Sequence, residues 1–173
     1  LIIIGALVAQ DSRSTIFNTG TPETDEGYVI SGNISIADRF SVSTDYAMEA
    51  FRVTLAMQSP LATMIVSVHQ DNDNSPGEIL GSWDVPLSTT APRDYTIYTF
   101  QDCILFDAGE NYWLSVKAAD SMSIGRWIYS PSSLFTYSSS SDAQLTWETS
   151  LGVAGNARVY AEAFYEPAPM YGD

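Results

Sequence analysis

The chain has 173 residues, 45% of them hydrophobic and 12% aromatic, which suits one domain with a substantial core and excludes a disordered chain. Its formal net charge is −14, from 21 acidic against seven basic residues, so a polyanion such as nucleic acid would be repelled. A single cysteine, Cys103, excludes an intrachain disulfide and reads as a buried, inert thiol.

The chain starts with nine residues that carry neither charge nor side-chain hydrogen-bonding group, Leu1 to Ala9, with no initiator Met. As a helix this run would rise only about 14 Å, too little for a membrane span. It reads either as the tail of a secretory signal peptide or as a strand, apolar on both faces. A strand here would sit in its own sandwich or complete the sheet of a neighbouring subunit. Residues 10–27 are polar and turn-rich, with Asn18-Thr19-Gly20, Pro22 and the acidic Glu23, Asp25 and Glu26. They are expected to be a linker of at most roughly 60 Å when extended.

From Tyr28 the pattern is strand after strand, and residues 28–165 are expected to be the domain body. Phe51, Val53, Leu55 and Met57 alternate with Arg52, Thr54 and Ala56, and Met64, Val66 and Val68 alternate with Ile65, Ser67 and His69. Further strands are expected at 34–36, 40–42, 79–87, 95–100, 103–106, 112–118, 126–129, 145–147 and 159–164. Turn residues fall at 59–60, 71–77, 88–92, 108–109, 130–133 and 152–156. Residues 136–142, rich in Ser, are expected to be a surface loop. The segment 166–173 holds Pro167 and Pro169, which cannot continue a sheet, and reads as a tail. About ten short strands with frequent turns predict an all-β fold, an antiparallel β-sandwich, with the apolar N-terminal strand beside it.

Four stretches occur in a suggestive order. They are Ile36-Ala37-Asp38-Arg39-Phe40, followed by the strand around Phe51, then Val66-Ser67-Val68-His69-Gln70-Asp71, then Asn74-Ser75-Pro76-Gly77-Glu78-Ile79-Leu80, then Leu105-Phe106-Asp107-Ala108-Gly109-Glu110-Asn111-Tyr112-Trp113-Leu114. A strand ending in Asp, a Pro-Gly turn and a Phe…Gly…Tyr-Trp-Leu run resembles the layout of the choice-of-anchor domains of exported, surface-attached microbial proteins. The resemblance covers about Tyr28 to Phe164. It implies a jelly-roll-like sandwich, an extracellular or cell-surface location and no established catalytic residues. No C-terminal anchoring segment is visible, which turns attention to the N-terminal run.

The densest cluster of oxygen ligands is Asp71 to Glu78. Asp71, Asp73 and Ser75 alternate as Ca²⁺ ligands would, although the spacing is not that of an EF-hand. Asp and Asn before Pro-Gly also suit an ordinary hairpin turn, and no cofactor is the first expectation. Trp127 and Tyr129 share a strand face and are candidates for stacking on sugars. Asn33-Ile34-Ser35 is an N-glycosylation sequon. His69 is the one histidine and reads as structural, since no single Ser is marked as its nucleophile.

These features predict a non-catalytic extracellular structural protein, a homopolymer or other homo-oligomer built through a donor strand of Ile2, Ile3, Ile4, Ala6, Leu7 and Val8. The alternative is a secreted carbohydrate-binding or adhesion module, with Ca²⁺ in the Asp71 loop. Neither reading involves nucleic acid or a membrane span.

Overall fold

A computed structural model describes residues 13–99, 101–102 and 104–163. The donor-strand residues Ile2, Ile3, Ile4, Ala6, Leu7 and Val8, together with Cys103 and the tail 166–173, lie outside the described residues. Twelve strands and no helix are found among them. In chain order they are β1 (Ser14–Asn18), β2 (Gly27–Ser31), β3 (Ser35–Ser41), β4 (Tyr46–Met57), β5 (Thr63–Asp71) and β6 (Pro76–Pro86). There follow β7 (Arg93–Tyr98), β8 (Leu105–Phe106), β9 (Asn111–Ala118), β10 (Ile124–Ser140), β11 (Glu148–Gly155) and β12 (Ala157–Ala163). Every pairing is antiparallel, and the all-β, sandwich-like architecture is as the alternation predicts.

The strands form two layers. Sheet A runs β1, β12, β4, β7, with β8 beside β4 at one end and the start of β10, then β2, at the other. Sheet B runs β11, β10, β3, β9, β5, β6. Period-two patterning sends one side chain set from each strand into the space between them. Phe51, Val53 and Leu55 of β4 meet Met64, Val66 and Val68 of β5 and Leu114 and Val116 of β9, all fully buried. Phe40 packs against Phe17, Phe106 and Tyr112 with centroids 5.2–5.9 Å apart. Burying one such side chain contributes about 1.5–3 kcal/mol, and this core supplies the main drive to fold.

Strand β10 belongs to both layers. Residues 124–128 pair with β2 and β4 in sheet A, and residues 134–139 pair with β11 in sheet B. The chain crosses back at Asn156, between β11 and β12.

Several expected boundaries need correction. The linker expected over 10–27 is shorter, because Ser14–Asn18 form a strand on the edge of sheet A with Phe17 in the core. Ile16 and Phe17 supply the apolar, β-favouring side chains that hold it there. The expected surface loop at 136–142 is mostly strand: Thr136 to Ser140 lie in β10, Tyr137 to Ser139 pair on both sides, and Ser138 is fully buried. Its hydroxyls stay buried because each finds a partner, Ser138 with Thr149 and Ser140 with Asp142. The strand expected at 145–147 begins at Glu148 instead, and the turn expected at 152–156 narrows to the single corner residue Asn156.

Candidate functional site

The Asp71–Glu78 cluster is the tip of the β5–β6 hairpin. Asp73 and Asn74 both take positive φ, 52° and 65°, and Asn72 and Ser75 exchange backbone hydrogen bonds of 2.8 and 3.2 Å around them. This is a two-residue turn of the type whose twist matches the strands. Asp71 Oδ2 accepts from the Asn74 amide at 3.0 Å, and its Oδ1 accepts from Trp113 Nε1 at 2.6 Å. Ser75 Oγ donates to the Asn72 carbonyl at 2.8 Å. The oxygens of Asp71 and Ser75 therefore serve the turn and the indole. Among the described residues no group of three or more His, Cys, Asp or Glu side chains is arranged to hold a metal.

Across the outer face of sheet B runs a row of small side chains, one per strand: Thr149, Ser138, Ala37, Ser115, Ser67 and Ser82. The segment 141–147 folds back over this trough. Asp142 fixes it by accepting from the Thr146 and Ser140 hydroxyls and the Thr146 amide, which lowers its carboxyl to about 2. Ala143 donates its amide to the Asn33 carbonyl, and Gln144 Nε2 donates to Ser115 Oγ at 3.3 Å.

His69 lies beneath this strap, 2% exposed, with Trp147 edge-on at 6.2 Å. Its Nδ1 is 3.1 Å from the Gly77 carbonyl, which can only accept, so Nδ1 carries the proton. Nε2 then accepts from Ser115 Oγ at 2.8 Å. Burial lowers the ring's pKa from its ordinary value, which keeps it neutral at pH 7. A base held against a hydroxyl is the start of a nucleophile, but Ser115 is fully buried under Gln144 and no substrate carbonyl can reach it. The pair ties β5, β9 and the strap together.

The corner where β10 and β11–β12 change layers holds the two residues expected to stack on sugars. Trp127 is fully buried, and its Nε1 donates to the Asn156 carbonyl at 3.0 Å. A Cβ on Gly155 would lie 2.1 Å from the indole, so only glycine lets backbone and ring approach this closely. Trp127 therefore offers no open face, which corrects its glycan-binding assignment. Tyr129 lies edge-on to Tyr28 at 4.8 Å, and the Tyr28 hydroxyl donates to the Val153 carbonyl at 2.5 Å. Trp127 and Tyr129 stand two residues apart on one strand, and nothing in that spacing signals that the strand crosses between sheets there.

The sequon residue Asn33 is exposed in the tight turn between β2 and β3. At the far edge of sheet B, β11 pairs only with β10 among the described strands. After Glu148 it has no charge and no Pro: Thr149-Ser150-Leu151-Gly152-Val153-Ala154-Gly155. Leu151 is 71% exposed and Leu134, on the neighbouring strand, 73%. Other edges carry the usual protections. β6 has Pro76, Glu78, Asp84, Pro86 and irregular register, β7 has Arg93 and Asp94, and β1 and β2 have five residues each. No helix among the described residues is long and apolar enough to cross a membrane.

No family model matches the chain, and no curated protein matches it.

Proposed function

We propose that this chain is a non-catalytic structural module of an extracellular surface assembly, and that copies join by strand addition at β11. The observation that carries this reading is the edge of β11, eight residues with no charge after the first and no Pro, beside two exposed leucines. Such an edge presents unpaired N–H and C=O groups to an extended segment over Glu148 to Gly152, whereas the Val153 carbonyl and the Gly155 amide and carbonyl are already bonded to Tyr28, Asp38 and Thr19. The run Leu1 to Ala9 has the complementary chemistry: uncharged, rich in β-branched residues and, at nine residues, roughly 30 Å when extended, enough to follow the open part of β11 from Glu148 to Gly152. Ile2, Ile3, Ile4, Ala6, Leu7 and Val8 would be the donor residues. Backbone hydrogen bonds would give affinity, and packing against Leu151 and Val153 would fix the register. A head-to-tail contact that does not close yields filaments. An exported location is supported by the resemblance to the choice-of-anchor domains.

Electron microscopy and sedimentation of three proteins test the reading: the full chain, a chain lacking Leu1 to Ala9, and Leu151→Lys. The full chain is expected to form filaments. Both variants are expected to stay monomeric, with unchanged thermal melting for Leu151→Lys. Filaments from the shortened chain, or a full chain that stays monomeric at high concentration, would sink the proposal.

A further inference from the structure

The one lysine of the chain, Lys117, stands on the outer face of sheet B, between Ser35 of β3 and Ile65 of β5. In a chain with 21 acidic residues it makes no ion pair among the described residues. Cross-strand partners share a face, so Ser35 turns the same way as Lys117. Ser35 is fully buried, and its hydroxyl has no hydrogen-bond partner among the described residues. Three connections meet at this end of the sheet: the β2–β3 turn, the β9–β10 turn, and the strap, where the Ala143 amide is bonded to the Asn33 carbonyl. Between them lies a cavity of about 250 Å³, lined by Lys117 and Ser35 from the sheet and by Asp120 from the β9–β10 turn. Asp120 is fixed by that turn. Its Oδ1 accepts from the Ser123 and Met122 amides at 2.7 and 2.9 Å, and the bonds from Ser123 and Met122 hold its carboxyl below the ordinary value. Two opposite charges therefore line one cavity without bridging it.

We infer that this cavity binds a small zwitterion, an aliphatic α-amino acid, with its carboxylate at Lys117 and its ammonium at Asp120. The ammonium of Lys117 and the hydroxyl of Ser35 are the donors a carboxylate needs, and Lys117 supplies a charge-assisted bond. Asp120 is the acceptor an ammonium needs. Ile65 and Ala143, which also line the cavity, offer apolar surface to a short side chain. The volume lies just below the range of drug-sized sites, which suits a ligand of this size. Charge selects the class. A simple anion meets Asp120 and a molecule of net charge −14, and a simple cation meets Lys117, whereas a zwitterion satisfies both poles.

Because Lys117 is the one lysine, the full chain labelled with lysine carrying ¹³C at Cε gives a single Cε–Hε cross-peak that reports on this site alone. It is titrated at low ionic strength, where charge interactions are least screened, with glycine, alanine and leucine, and with acetate and methylammonium as single-charge controls. The amino acids are expected to move the peak to saturation, and each control to bind at least tenfold more weakly. Calorimetry with alanine then compares the wild type with Lys117→Met and Asp120→Asn, each expected to weaken binding at least tenfold. Thermal melting separates lost binding from lost folding; Lys117 is half-buried and unpaired, so Lys117→Met is expected to melt as the wild type does. The proposal is overturned if no amino acid moves the peak, if acetate binds as tightly as the amino acids, or if folded Lys117→Met binds alanine as the wild type does.

Discussion

Asp38 sits on β3 between Ile36 and Phe40, on the face that fills the space between the sheets. It is fully buried; Oδ2 accepts from the Gly155 amide at 2.8 Å, and Oδ1 has no hydrogen-bond partner among the described residues. Burial raises its pKa well above the ordinary value, outweighing the bond from Gly155. A raised folded pKa means that the folded state holds a proton which the unfolded state releases. The group's contribution is therefore complete below the ordinary carboxylate value of about 3.9 and is lost as pH rises towards and through the folded value. Asp38→Asn imitates the protonated acid at every pH. Its amide oxygen can still accept from Gly155. We expect it to match the wild type near pH 4 and to melt higher at pH 8 by at least about 2 °C, of the order of 1 kcal/mol for a chain of this size. Circular-dichroism melts of both proteins from pH 4 to 9 measure this, and a difference that does not grow with pH would refute it. With separate strands expected at 34–36 and 40–42, Asp38 falls in a break; the single strand β3 carries it through on the face of Ile36 and Phe40. The crossover at Asn156 then brings it the Gly155 amide from 117 residues away.

The elements that were legible are those whose apolar residues alternate without interruption. β4, β5 and β9 each send one apolar side-chain set into the core, and their patterns give the sandwich directly. The stretch from 130 to 156 was not legible. There β10 changes layers within one strand, and small hydroxyl-bearing residues are buried under a strap rather than exposed on a loop. Composition cannot separate a solvated Ser from one covered by a distant segment. The strap 141–147 holds two non-glycine residues in the left-handed region, Ala143 at φ 61° and Gln144 at 73°. An L-residue there costs roughly 1–2 kcal/mol, and a glycine introduced there returns less than that by loosening the unfolded chain. Ala143 is exposed, so its methyl contributes little packing. Ala143→Gly is expected to stabilise the fold by about 0.5–1 kcal/mol in urea titration. Gln144→Gly relieves similar backbone strain but removes the bond to Ser115 over a buried hydroxyl, so it is expected to gain less or to lose stability. An equal gain from both would show that the Gln144–Ser115 contact contributes nothing.

At the scale of the whole molecule, charge and the β11 edge pull in opposite directions. A net charge of −14 makes copies repel, yet the segment from Thr149 to Gly155 and the run from Leu1 to Ala9 are both uncharged. Association through them would rest on backbone pairing and apolar burial, neither of which salt screens, while the repulsion between the bodies is screened. At 0.01 M salt the Debye length is about 30 Å, comparable with the size of the domain; at 0.15 M it is about 8 Å. Assembly is therefore expected to be weak at 0.01 M and to strengthen steadily towards 0.15 M, with light scattering as the measure. An interface built instead on ion pairs would respond with the opposite sign. The direction of the salt dependence thus distinguishes a strand-addition polymer from an electrostatic one, and assembly that weakens with salt would remove β11 as the joining edge.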